Sequence, residues 1–181
     1  AGNSTHPQST YEDIAAAGYA LTRRCGHAGL TMTWVGQLLK ADFLQRYGQQ
    51  AIHCVNTILS GESLCALAIS EPGVGAHPKH LTCSAERHGK SFVLNGAKAY
   101  VGDGPDADWF IVLAITDTLA ERKQFSAFLI NKNQPGLEIG PPTPGSALVP
   151  SSHCNIIFTR CRITEDALLG TPGKAFDEIS K

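Results

Sequence analysis

Glu71 stands directly before Pro72-Gly73, and Gly73-Val74-Gly75 follows a compact apolar run that ends near Ser70. Glycines without a Cβ let a phosphate approach backbone N–H groups, so this stretch is a candidate anion cradle. A bare GxG more often marks a turn, and the longer dinucleotide fingerprint with its following helix is absent. Glu71 is a candidate general base by type, but a carboxylate beside Pro-Gly is expected to be a solvated turn residue. His77, just beyond, reads as an exposed turn histidine. The six cysteines are Cys25, Cys54, Cys65, Cys83, Cys154 and Cys161. They form no CxxC, and the neighbouring His27, His53 and His153 lack a second ligand pair at finger spacing. Buried free thiols are therefore expected rather than a metal centre. Scattered free cysteines fit a reducing compartment, the cytoplasm or, in a eukaryote, the mitochondrial matrix. No nucleophile elbow, P-loop or HExxH is present.

The elements that must position these groups change character along the chain. Of 10 prolines only Pro7 precedes residue 72. Ser9 and Thr10 stand before Glu12 and Asp13 as overlapping capping-box candidates. Ile14, Ala17, Leu21 and Cys25 follow at helical spacing, with Gly26 as the stop. A second helix is predicted over residues 30–47, with Trp34, Leu38, Ala41 and Leu44 on one face and Gly48 at its end. A third, over 49–59, groups Ile52, Val55 and Leu59. Short strands are then predicted over 64–70, 81–86, 91–94, 99–101, 109–116, 125–130, 137–139 and 155–163. Residues 87–90 read as a hairpin loop, Asn95-Gly96 as a second turn and 141–145 as an extended loop. The fold class is α+β: N-terminal helices, then an antiparallel β-barrel or sandwich, then the entry to another helical region near residues 166–176. The 181 residues suffice for one domain or two small ones, and 15 Lys+Arg against 16 Asp+Glu exclude a nucleic-acid binder that works by basic runs. No stretch reaches the ~20 apolar residues of a membrane span, and no secretory leader is expected.

Ala68-Ile69-Ser70-Glu71-Pro72-Gly73-Val74-Gly75 resembles the Thr-Glu-Pro-x-x-Gly-Ser segment of acyl-CoA dehydrogenases. Val93-Leu94-Asn95-Gly96-Ala97-Lys98 is similar to that family's LNG-x-K block, and the segment from Ala107-Asp108-Trp109 to Ala114 to its following strand. Phe125 to Ile130, Pro135-Gly136-Leu137 and Ile157-Phe158 continue the agreement. Upstream, Arg46-Tyr47-Gly48 and Leu59-Ser60-Gly61-Glu62 resemble the helical lead-in. Five ordered blocks cover about residues 10–176.

The resemblance implies a flavoprotein that binds FAD between the β domain and helices of a neighbouring subunit and oxidises an acyl-CoA thioester. It implies division into a partial N-terminal helical domain (1–61), a middle β domain (62–165) and the start of a C-terminal helical domain (166–181). Leu67, Ile69 and Ser70 would meet the flavin, the last two through their backbone. N–H groups near Gly75 and Ala76 would face the pyrophosphate, with Ala76 also on the substrate side. Tyr100, Val101 and Gly102 correspond to the family's Trp-Ile-Thr beside the flavin ring. Departures remove polar groups: Ala76 and Gly102 replace hydroxyl residues, His77 replaces Asp, and Val149 stands where Arg is usual. The catalytic Glu of most members lies in the C-terminal bundle, so no catalytic residue is assigned within this chain. A homo-oligomer, or a partner chain supplying helices, is implied. A flavin-dependent oxidase or monooxygenase, and a non-catalytic binding or assembly module, are the alternative readings.

Overall fold

A computed structural model describes residues 10–117, 122–144 and 148–180. Pro7 and Ser9, and residue 145 at the end of the predicted loop over 141–145, lie outside the described residues. Helix α1 (Tyr11–Cys25) starts where Thr10 accepts the Asp13 N–H and Asp13 accepts the Thr10 N–H, and it stops at left-handed Gly26, φ 70°. Helix α2 (Ala28–Tyr47) ends at Gly48 for a different reason: a Cβ there would stand 2.8 Å from Leu169 Cδ2. After a 3-10 turn at Gln49–Ala51 comes α3 (Ile52–Leu59). The faces are not those expected. Ile52 and Leu59 are exposed while Cys54, Val55 and Ile58 are buried, and α1 buries only Gly18. Gly18 is small enough for Thr31 and Val35 of α2 to lie against it, so backbone proximity rather than an apolar stripe joins these helices.

The strands are β1 (Cys65–Ala68), β2 (Ser84–His88), β3 (Ser91–Gly102), β4 (Trp109–Asp117), β5 (Gln124–Asn131), β6 (Leu137–Ile139), β7 (His153–Thr164) and β8 (Leu168–Leu169), followed by α4 (Ala175–Ile179). They form one sheet in the order β6-β7-β3-β2-β4-β5-β8, with β1 added on β4. Pairing is antiparallel except where β4 meets β1 and, at one position, β2. The sheet curls: Phe92 of β3 and Phe128 of β5 are not on neighbouring strands, yet their rings lie 5.0 Å apart. Among the described residues its path ends at β6 and β8 without closing, so the expected barrel is an open, strongly curved sheet.

Side chains alternate along each strand and so build two cores. Ala66 and Ala68 of β1 and Phe110 and Val112 of β4 face inward with Phe92 and Phe128. Cys65, Ile111 and Leu113 point the other way, against Leu44 of α2 and Val55 and Ile58 of α3. Asn95-Gly96 is not a turn. It is a bulge inside the 12-residue β3, where Gly96 takes φ 135° and the Asn95 carboxamide accepts the Arg160 N–H.

Candidate functional site

β1 runs out at Ala68, and the chain turns back on itself within five residues. Glu71 and Gly75 exchange two backbone hydrogen bonds, Glu71 N–H to Gly75 C=O at 2.9 Å and Gly75 N–H to Glu71 C=O at 3.1 Å. Gly73 (φ 74°) and Gly75 (φ 65°) supply the left-handed conformations the turn needs, and nothing lies within 4 Å of where their Cβ atoms would stand. The Gly73-Val74-Gly75 stretch is therefore the expected turn. Its Gly75 N–H, however, closes the turn rather than pointing outward.

Glu71 is no solvated turn carboxylate. It is 3% exposed and Lys98, facing it from β3, is 0% exposed. Their charged atoms are 3.0 Å apart. The Glu71 carboxylate also accepts the N–H and hydroxyl of Thr82 (2.7 and 2.9 Å) and the Cys83 N–H (2.9 Å). Burial alone would raise its pKa. The Thr82 and Cys83 N–H groups and the Lys98 ammonium outweigh that and hold it below the usual carboxylate range. Lys98 Nζ donates in addition to the Ile69 carbonyl (3.0 Å), and Ala99 N–H to the Ser70 carbonyl (2.8 Å). The segment carrying Ile69 and Ser70 is thus stitched to β3 by one ammonium and one amide. No sequence signal marked Lys98 as the partner of Glu71, because only the strand register brings the two together.

Past Ala99 the strand bulges between Lys98 and Val101. Tyr100 sits there in the left-handed region, φ 55°, with its ring 69% exposed, while Val101 is buried in the inner core. Such a conformation costs a non-glycine residue about 1–2 kcal/mol and is retained where the surroundings demand it. Gly102 pairs with His153 at the start of β7. Next, Asp103 (φ 59°) accepts hydrogen bonds from Thr33 Oγ1 (2.6 Å), Ser151 Oγ (2.9 Å), and Gln37 Nε2 and Lys40 Nζ (both 3.3 Å). Burial would raise the Asp103 pKa, but the Thr33 and Ser151 hydroxyls and the Lys40 charge hold it low. Gln37 also brackets Cys65, accepting its N–H at 2.8 Å and donating to its carbonyl at 3.0 Å. One buried polar hub therefore ties α2 to β1 and to the end of β3. No sequence motif marked Thr33, Gln37 or Asp103.

The predicted site residues divide between two places. Ile69, Ser70, Gly75, Tyr100, Val101 and Gly102 belong to the stitched junction of the turn with β3, and Ala76 is exposed at the end of the turn. Leu67 instead points to the helical side, into a cavity of about 420 Å³ with Leu39, Phe43 and Ile111. His77 is exposed and accepts the Lys79 N–H at 3.3 Å, the turn role expected of it. Five of the six thiols are buried, and among the described residues no cluster of metal-binding side chains occurs. Burial pushes the Cys83, Cys154 and Cys161 thiols up to about 11 and Cys54 to about 12, which keeps them protonated and unreactive near neutral pH. Among the described residues no helix is long and apolar enough to cross a membrane.

A planar cofactor with an anionic tail fits this arrangement. The exposed Tyr100 ring offers an aromatic face, and nothing lies within 4 Å of where Cβ atoms on Gly73 and Gly75 would stand. Val74 and Gly75 both donate to the Glu71 carbonyl, so their N–H groups are engaged within the turn. Comparison with known proteins gives the chain a family. Residues 66–161 match the acyl-CoA dehydrogenase middle domain. The chain is 34% identical over 171 residues to the human mitochondrial short-chain specific acyl-CoA dehydrogenase, covering 92% of this chain and 40% of that protein. It is 31% identical over 156 residues to a mitochondrial isovaleryl-CoA dehydrogenase of Oryza sativa subsp. japonica, covering 85% and 38%. A probable acyl CoA dehydrogenase from Mycobacterium abscessus superposes with a TM-score of 0.83 at 25% identity, over 93% of this chain and 45% of that one. The FAD complex of PigA gives 0.79 at 26% identity, over 92% and 44%. The chain spans about 40% of the length of the human relative. With its middle domain matched over more than half of its residues, the chain belongs to the acyl-CoA dehydrogenase family.

Proposed function

We propose that this chain holds the flavin of an FAD-dependent oxidoreductase that α,β-dehydrogenates an acyl-CoA thioester. The observation that carries the reading is the turn at residues 71–75, locked to β3 by the buried Glu71–Lys98 pair directly beside the exposed, left-handed Tyr100. When bound, FAD supplies the hydride-accepting chemistry, and the protein's part is to position it. Ile69 and Ser70 have both carbonyls engaged, so the N–H is the polar backbone group each has to offer a ring edge. Ala76 offers its N–H to the pyrophosphate and its small side chain leaves room for substrate. Tyr100 covers the ring, and Val101 anchors that strand end in the core. Leu67 reaches the helical side, where an acyl chain would meet apolar surface.

The division into 1–61, 62–165 and 166–181 belongs to this proposal. So does assembly with a second copy or a partner chain, which the exposed Tyr19, Leu30, Met32 and Trp34 of α1 and α2 support. The mitochondrial relatives support a matrix location if the source is eukaryotic.

Titrating the chain with FAD, alone and fused to the segment that follows the matched region in the human short-chain enzyme, tests the reading. A yellow chromophore bound by either form, and bleached in the fused form by an acyl-CoA under anaerobic conditions, is the expected result. Flavin bound by the fused form without bleaching points to an oxidase or monooxygenase of the same family. No flavin in either form overturns the flavoprotein reading and leaves the non-catalytic module, which bare Gly102 and Ala76 favour because neither offers a side-chain hydrogen bond.

A further inference from the structure

The proposed flavin edge at Gly102 lacks a side chain, but the space beside it is not empty of polar groups. Gly102 of β3 and His153 of β7 are direct partners in the antiparallel register. A Cβ built on Gly102 would stand 3.5 Å from His153 Nε2 and 3.8 Å from its Cδ2, in ordinary van der Waals contact. The imidazole therefore lies where a longer side chain at position 102 would reach. The strand start that carries it is anchored. The His153 carbonyl accepts the Thr143 N–H at 2.7 Å, the preceding Ser152 carbonyl accepts the Asp103 N–H at 2.7 Å, and Ser151 is bonded to Asp103. The ring itself is half-buried, and among the described residues no hydrogen bond or ion pair engages it. A half-buried imidazole with two unengaged nitrogens, held two residues' distance from an exposed tyrosine ring, is equipped to contact a planar heteroaromatic ligand at its polar edge.

We propose that His153 is a ligand-contacting residue of this site, and that its imidazole makes the side-chain hydrogen bond to the flavin ring that Gly102 cannot make. The inference rests on the flavoprotein reading above. It adds that polar recognition at this end of the ring has moved across the ladder, from β3 to β7. An aromatic face from Tyr100 and an imidazole nitrogen from His153 then define a ligand class: a flat, conjugated ring bearing nitrogens or carbonyls at its rim. A purely aliphatic ligand would use neither.

The test uses FAD itself, with binding followed by quenching of flavin fluorescence and by the position of its visible absorption bands. The chain and the fusion described above are compared with their His153→Ala, His153→Gln and Gly102→Thr/His153→Ala forms. His153→Ala is expected to weaken FAD binding by about tenfold, the scale of one lost hydrogen bond, and to shift the bands. His153→Gln, which keeps a donor and an acceptor, is expected to stay within about threefold of the unaltered protein. Restoring a hydroxyl at position 102 in the alanine background should recover binding, which a merely structural role for His153 would not produce. Melting temperatures measured without flavin should agree across the set. If the unaltered protein binds FAD and His153→Ala binds it equally, the proposal for His153 is overturned while the flavoprotein reading stands. If the unaltered chain and fusion take up no FAD, both fall.

Discussion

At the scale of single residues, the site is governed by two buried carboxylates. Glu71 and Asp103 each lie beside a lysine and accept several hydrogen bonds, and each is held below its ordinary pKa. A carboxyl group whose folded pKa is depressed contributes stability that is present in full above the unfolded value, about 4, and is lost as pH falls through the folded value. Urea midpoints should therefore hold level from pH 7 to about 5 and drop steeply below about 4. Glu71→Gln, which takes up no proton, should show a shallower drop from a lower starting stability. Lys98→Met removes the other half of the inner pair and leaves a buried anion without its cation. Such single removals cost about 3–5 kcal/mol, and equilibrium urea unfolding would show it. Tyr100 should behave in the opposite sense. Its ring is exposed and its backbone is left-handed, so Tyr100→Gly should raise stability by up to about 1 kcal/mol while weakening FAD binding. A loss of stability without a loss of binding would mean that the ring packs rather than binds.

At the scale of elements, the pattern of helices followed by short strands was readable because periodicity and turn residues are local signals. Thr10, Asp13 and Gly26 bound α1 through capping chemistry that any reader of the sequence can find. Gly48 was read rightly as a stop, yet what requires it is Leu169, more than a hundred residues away. Asn95-Gly96 failed for the same kind of reason. In isolation the pair signals a hairpin turn, but here β3 is held on one side by β2 and on the other by β7, and the two residues become a bulge. The ion pair of Glu71 with Lys98, 27 positions apart, and the partnership of Gly102 with His153 are likewise products of strand register, which one sequence does not display. The bulge itself can be tested. A Cβ on Gly96 would stand 2.8 Å from Cys83 Cα, at a φ of 135° that side chains rarely adopt. Gly96→Ala should destabilise by more than about 1 kcal/mol, seen as a lowered urea midpoint. An unchanged midpoint would mean that β2 and β3 can separate without cost.

At the scale of the whole molecule, the cysteines report on how the two cores open. Cys83, Cys154 and Cys161 lie in the core enclosed by the curled sheet, and Cys54 and Cys65 in the core between its outer face and the helices. Cys25, at the end of α1, is the exposed one of the six. A thiol reacts as its thiolate, so burial slows it twice: it denies access to the reagent and, by raising the pKa, removes the reactive form. With an aromatic disulfide reagent near pH 8, one thiol should label at the rate of a free peptide cysteine, and Cys25→Ser should abolish that phase. The other five should label only through opening of the fold. If β1 and β4, which contribute residues to both cores, make the molecule open as one unit, the five should react together at a single rate that rises with urea. Were the helical layer to detach from the sheet first, Cys54 and Cys65 would label ahead of the inner three. The division at residue 61 would then be a boundary in stability as well as in sequence. Mass spectrometry of partly labelled protein separates the two outcomes, because the first yields only singly and fully labelled chains and the second a population carrying three labels.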